Sequence, residues 1–171
     1  MLYIIQKGKH SSFRIPALYF SKSDGLEGSF RFLPSAWYKR PDSNIDWLDL
    51  NKLLGISFGF HQQDSLRIAW RPLFEEPGKL ELFSYRYNGG NRTFETMGSI
   101  QTDQTHAYQL LLLRQQNEAI FQIEGLEPKK VSMTYPGKSW GYCLFPYFGG
   151  NLTAPQDIEI EVEIRMKKEK G

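Results

Sequence analysis

Arg67 and Arg71 are the first residues whose type and spacing could do chemistry. In the run Ser65-Leu-Arg-Ile-Ala-Trp-Arg71 they alternate with Leu66, Ile68 and Trp70. A strand here projects both guanidinium groups from one face and three apolar side chains, Trp70 among them, from the other. In the next segment Glu81, Phe83, Tyr85 and Tyr87 alternate with Leu80, Leu82, Ser84 and Arg86. Aromatic rings stack on pyranose faces, and guanidinium forks bind hydroxyls and carboxylates. Arg67, Arg71, Tyr85 and Tyr87, with Tyr147 from Tyr147-Phe-Gly-Gly150, therefore form a candidate binding surface for an oligo- or polysaccharide, an acidic one above all. The same alternation also fits aromatic core packing with arginines turned to solvent. Non-catalytic, lectin-like carbohydrate binding is the function expected. A polysaccharide lyase or glycoside hydrolase, and a structural or interaction module with no saccharide ligand, are the alternatives.

Other clusters point elsewhere. Asp42, Asn44, Asp46 and Asp49 have the oxygen spacing with which a calcium loop opens. Trp47 stands where such a loop needs glycine and Leu53 where it needs a bidentate glutamate, so the cluster reads as a helix cap and no metal is expected. His10, His61 and His106 lack ligand spacing, and no cofactor motif is found. Cys143 is the lone cysteine, which excludes an intramolecular disulfide. Two N-x-T sequons, at Asn91 and Asn151, read as chance matches.

These side chains need a scaffold. The chain has 171 residues, enough for a single domain with one core. Gly 15 and Pro 9 lie near background, and aromatic residues reach 15%, which suits pleated surfaces. The formal net charge of +2 is interspersed, so no polybasic field for nucleic acid is present. No apolar run is long enough for a membrane span, and the N-terminus lacks the pattern of a signal peptide, which makes the cytoplasm the default compartment. Short alternating segments punctuated by turn residues predict an all-β, two-sheet antiparallel sandwich. Strands are expected at 2–6, 13–20 (an edge or bulge because of Pro16), 29–33, 56–61, 65–71, 79–87, 92–100, 106–114, 119–123, 140–148 and 157–166. Residues 65–100 form a meander, with a hairpin turn at Asn88-Gly-Gly-Asn91. Capping-box spacing at Ser43-Asn-Ile-Asp46 predicts one short helix near 46–54, ending at Gly55. Residues 167–171 read as a frayed tail. Glu159, Glu161 and Glu163 alternate with Ile158, Ile160, Val162 and Ile164 on the last strand and read as a charged outer face that protects a sheet edge.

The segments Tyr108-Gln-Leu-Leu-Leu and Ala119-Ile-Phe-Gln-Ile-Glu-Gly125 resemble the Y-x-L and F-x-V-D-G hairpin of the concanavalin A-like lectin and glucanase jelly rolls. That resemblance implies two stacked curved sheets, with sugars bound across the concave one and 140–148 and 157–166 as the closing pair of strands. Glu159-x-Glu161-x-Glu163 resembles the glucanase E-x-D-x-E catalytic strand, but it has no central aspartate and sits on the last strand. Arg67-Ile-Ala-Trp-Arg71, Gln122-Ile-Glu124 and Tyr147-Phe-Gly-Gly150 resemble, in order, the arginine-rich, Q-I-H and Y-F-K-A-G strands of alginate-lyase-like members. Glu124 and Gly149 stand where that pattern has histidine and lysine. The resemblance implies that Tyr147 could serve as base and acid, with Arg67 neutralising a uronate and Gln122 beside them.

Overall fold

The computed structural model describes residues 1–12, 18–19 and 23–168. Its strands are β1 (Leu2–Ile5), β2 (Leu18–Tyr19), β3 (Gly25–Phe32), β4 (Asn51–Ser57), β5 (Ser65–Pro72), β6 (Lys79–Asn88), β7 (Asn91–Gln101), β8 (Thr105–Leu113), β9 (Glu118–Ile123), β10 (Lys129–Ser132), β11 (Gly141–Leu144) and β12 (Ile158–Lys167). They form two six-stranded antiparallel sheets. The first runs β1-β12-β3-β8-β9-β10 and the second β2-β11-β4-β5-β6-β7. No helix among the described residues is long and apolar enough to cross a membrane.

Alternation decides which side chains meet between the sheets. Ile158, Ile160 and Val162 of β12, Leu110 and Leu112 of β8, and Phe121 of β9 are buried against Leu66, Ile68 and Trp70 of β5 and Leu80 and Leu82 of β6. Trp70 is fully buried, as its strand face predicts, with its ring 4.9 Å from Phe32 of the opposite sheet. The opposite side chains of β5 and β6 are thereby turned to the outer face of the second sheet.

Several expectations change. The predicted helix is a short 3₁₀ turn, Ile45–Leu48, capped by the Asn44 side chain on the Asp46 N–H at 3.0 Å. Residues beyond it are strand β4, which ends at Ser57, so most of the expected 56–61 strand is turn. A register shift between Lys52 and Leu54 inserts a bulge, which lets the adjacent Leu53 and Leu54 both reach the core. β11 and β12 are not a closing pair, since they belong to different sheets. Nor is β12 an edge: it lies between β1 and β3, because Leu2–Ile5 returns to pair with it. Lys167, expected in a frayed tail, ends β12 and binds Glu27 at 2.6 Å. Lys168 follows it, exposed and outside any strand, while 169–171 and most of the expected 13–20 strand, Pro16 included, lie outside the described residues.

Candidate functional site

The outer face of the second sheet is hollow because its central strands carry small residues there. Gly55 and Ser57 of β4 pair with Arg67 and Ser65 of β5, which pair in turn with Tyr85 and Tyr87 of β6. Gly55, Ser57 and Ser65 leave room beside the tyrosines, and a groove of about 450 Å³ opens over this face, lined by Arg67, Tyr85, Tyr87 and Tyr147. Gly55 is required by the arginine beside it: a Cβ there would sit 2.6 Å from the Arg67 Cγ and 2.3 Å from the Leu66 carbonyl oxygen.

Arg67 lies in the floor, only 9% exposed, and what remains accessible opens into the groove. It has no hydrogen bond or ion pair among the described residues, and its Nε is buried without a partner. Burial pulls the guanidinium down to about 10, opposed by the surrounding Tyr85, Tyr87, Tyr142 and Tyr147. It stays cationic at neutral pH.

Tyr147 reaches the groove through a backbone clasp. Its N–H and carbonyl pair with Lys52 at 2.9 and 2.8 Å, Phe148 donates to the His10 carbonyl at 2.6 Å, and Gly149 donates to the Asn51 Oδ1 at 2.6 Å. The Tyr147 ring is 37% exposed and lies parallel to His10 at 5.3 Å. Gly149 has φ +62, and a Cβ there would meet the Leu152 carbonyl oxygen at 2.5 Å, so a lysine could not stand at this position. An ammonium arrives from the neighbouring strand instead: Lys52 Nζ donates to the Gly149 carbonyl at 3.2 Å and faces the Tyr85 and Tyr147 rings at 5.6 and 5.9 Å. Burial lowers Lys52 to about 8, Arg67 and Arg92 adding to the shift and Asp49 opposing it.

At the other end the turn between β4 and β5 folds back over the floor, where Ser65 Oγ donates to the His61 carbonyl at 2.7 Å. The Tyr142 hydroxyl lies 2.7 Å from His61 Nδ1 and accepts the His61 backbone N–H at 3.2 Å. If the hydroxyl donates its own proton to Nδ1, all three groups are satisfied and the Nε2–H is left for the groove. Burial and the nearby Arg67 push His61 below its ordinary value, which favours the neutral ring.

The structure brings together Arg67, Tyr85, Tyr87 and Tyr147, four of the five proposed binding residues. Arg71 lies in an adjoining hollow with Phe94, and its guanidinium is held by Glu81 at 2.8 and 3.0 Å. Gln122 does not join them. It is exposed on β9 in the first sheet, paired in register with Gln109, so the expected grouping of Tyr147, Arg67 and Gln122 is not formed. Glu161 and Glu163 are exposed on the first sheet's outer face, where Glu161 meets Arg31 at 3.5 Å. In the acidic cluster, Asp42 Oδ1 accepts the Asn44 N–H at 2.8 Å and the Trp47 indole N–H at 2.9 Å, and Asp46 accepts Asn151 at 3.3 Å. These oxygens cap and fasten a turn. Asp49 lies apart from them, beside Gly150 at the groove.

Sequence reasoning missed Lys52, Arg92 and Tyr142 and left His61 without a role. The signal for Lys52 was the Leu53-Leu54 doublet after it, which breaks alternation as a bulge does.

No protein-family model matches the sequence, and no curated protein matches it significantly. Solved structures do share its architecture. An alginate lyase from Klebsiella pneumoniae superposes with a TM-score of 0.61 at 13% identity, over 84% of this chain and 60% of that one. An alginate lyase from Alteromonas sp. 272 gives 0.53 at 6% identity, over 99% and 88%. SCLam, a non-specific endo-β-1,3(4)-glucanase of family GH16, gives 0.50 at 10% identity, over 88% and 58%. The fold is a concanavalin A-like jelly roll. At these identities the likeness concerns the fold, and this jelly roll spans 60% of the length of the Klebsiella enzyme's chain.

Proposed function

We propose that the groove binds an acidic saccharide, with a ligand carboxylate on Arg67 and sugar faces against Tyr87 and Tyr147, while Tyr85, 4% exposed and packed on Phe94, backs the groove wall. The observation that carries this reading is Arg67 itself, a buried cation that has no counter-charge among the described residues. Burying a charge unpaired is costly, and a ligand carboxylate reaching it from the groove would remove that cost. Lys52 and Arg92 add positive charge, and Asp49, the carboxylate that acts on Lys52, lines the adjoining hollow and not the groove around Arg67. The two alginate lyases of the same fold are in keeping with a polysaccharide as the source of that carboxylate.

Calorimetric titration with uronate and neutral oligosaccharides tests the reading. Wild-type protein binds the uronates, and Arg67→Ala weakens them about 10- to 150-fold, the equivalent of one charge-assisted contact, while leaving neutral sugars little changed. Equal binding of both sugar classes, or no binding of either, would overturn it.

A second reading, elimination, is favoured by the Tyr147 phenol and Lys52 amine standing beside Arg67 in one groove. There a base takes the proton on the carbon bearing the carboxylate and Arg67 balances the negative charge that builds on that group. The neighbouring C–O bond breaks as the C=C bond forms, and the departing oxygen receives a proton. Ultraviolet absorbance of the unsaturated product on adding polyuronate distinguishes turnover from binding alone.

A further inference from the structure

Beside the cationic groove, the turn between β4 and β5 holds a phenylalanine out in water. Phe60 is 69% exposed, yet its turn is tightly bonded. Gln63 and Asp64 donate backbone N–H groups to the Phe60 carbonyl at 2.9 and 3.1 Å, and Gly59 donates to the Trp140 carbonyl at 2.8 Å. The buried Asp64 carboxylate accepts the Gly89 N–H at 2.9 Å, which ties the turn to the tip of the β6–β7 hairpin. The ring is therefore presented by a fixed backbone.

It also belongs to a row of rings. Phe60 meets Trp140 edge to face at 5.2 Å, Trp140 stacks on Tyr142 at 6.5 Å, and the Tyr142 hydroxyl bonds His61 in the groove wall. Away from this end the groove continues past Arg67: Lys52, Tyr85 and Arg92 also line the adjoining hollow, where the half-exposed Phe94 lies parallel to Tyr85 at 6.3 Å. Cations thus hold the centre, with Asp49 beside Lys52 in the adjoining hollow and exposed rings at both ends. A single sugar or a small anion would use only the centre, whereas a longer chain would also cover rings that are otherwise exposed at a cost.

We propose that Phe60 and Trp140 form an outlying sugar-stacking subsite, so that the groove takes an acidic saccharide chain several units long. This rests on the saccharide reading of the groove and adds a length requirement to it. Stacking is an apolar contact that salt does not screen, so its contribution separates from that of Arg67.

The experiment measures affinity for a uronate disaccharide, tetrasaccharide and hexasaccharide, at low and high salt, in wild type, Phe60→Ala and Phe60→Trp. Wild-type affinity is expected to rise with length. Phe60→Ala should weaken the hexasaccharide about three- to tenfold, leave the disaccharide and the salt dependence unchanged, and be rescued by Phe60→Trp. Because Phe60 is exposed, the alanine variant keeps its core, and thermal unfolding checks this. Disaccharide binding as tight as hexasaccharide binding, or equal hexasaccharide affinity in wild type and Phe60→Ala, overturns the subsite and leaves the groove reading standing. A Phe60→Ala loss shared equally by all lengths also overturns it. Failure of wild type to bind any uronate overturns both.

Discussion

Lys52 lies where its protonation changes how strongly the groove attracts an anion. Burial comes first among the causes that bring it to about 8, then Arg67, with Asp49 opposing and Arg92 adding. Below that pH the groove carries Lys52, Arg67 and Arg92 as cations, and above it the lysine is neutral. Uronate affinity should therefore fall as pH rises through about 8, by up to roughly tenfold if the ammonium contacts the ligand. In Lys52→Met this step disappears, and titrations across the range in both proteins check it. The step is separate from His61, whose lowered value puts its own protonation on the acid side of 6.5. Stability carries the opposite sign. An amine whose folded value lies below its unfolded value of roughly 10.4 is protonated more in the unfolded chain between the two. The penalty for burying charged Lys52 is thus fully present below about 8 and shrinks as pH rises toward the unfolded value, so thermal stability of wild type relative to Lys52→Met should improve across that window.

At the scale of elements, β4 and β5 make the site together. Gly55→Ala would place a methyl 2.6 Å from the Arg67 stem and 2.3 Å from the Leu66 carbonyl, forcing the strands apart. It should lower the unfolding midpoint and weaken uronate binding about as much as Arg67→Ala does. Binding unchanged in Gly55→Ala would show that Arg67 need not lie across this strand. On the core side of β5, Trp70→Ala should cost about 3–5 kcal/mol. Trp70→Phe should cost clearly less, because the buried Trp70 indole N–H has no partner among the described residues to lose. Chemical denaturation of both variants checks the order.

Why β5 was legible in the sequence and β4 was not follows from their local patterns. β5 alternates cleanly, so its two faces could be assigned residue by residue, and Arg67 with Tyr85 followed. β4 carries the Leu53-Leu54 bulge after capping-box spacing that begins at Ser43, although the side chain that caps the turn is that of Asn44, and that combination imitates a helix. β10 has four residues and too little pattern to be seen. Gln122 was misplaced for another reason: alternation tells which faces a strand has, but not which sheet it joins. That depends on long-range pairing, as does the return of β1 that makes β12 an interior strand.

For the whole molecule, the groove's cations and the β12 carboxylates stand on opposite outer faces. The second sheet's face gathers Lys52, Arg67 and Arg92 in one groove, while the first carries Glu161 and Glu163 on β12, with Arg31 and Arg165 as partners at 3.5 and 3.6 Å. Those pairs are exposed, so each contributes at most about 1 kcal/mol. Two packed sheets stand about 10 Å apart, which with the outward reach of the side chains exceeds a Debye length of about 8 Å at physiological salt. The glutamates should therefore be nearly invisible to a ligand in the groove. Replacing Glu159, Glu161 and Glu163 together by glutamine should leave uronate affinity within about twofold of wild type at physiological salt and shift the unfolding midpoint only slightly. At low ionic strength, where the field of each charge reaches further, the triple variant should bind slightly tighter, because three negative charges no longer repel the anion. Loss of binding or turnover in a variant that still folds would instead place the saccharide on the first sheet and restore Glu159, Glu161 and Glu163 as catalytic carboxylates. Calorimetry at two salt concentrations, beside a thermal melt, separates these outcomes.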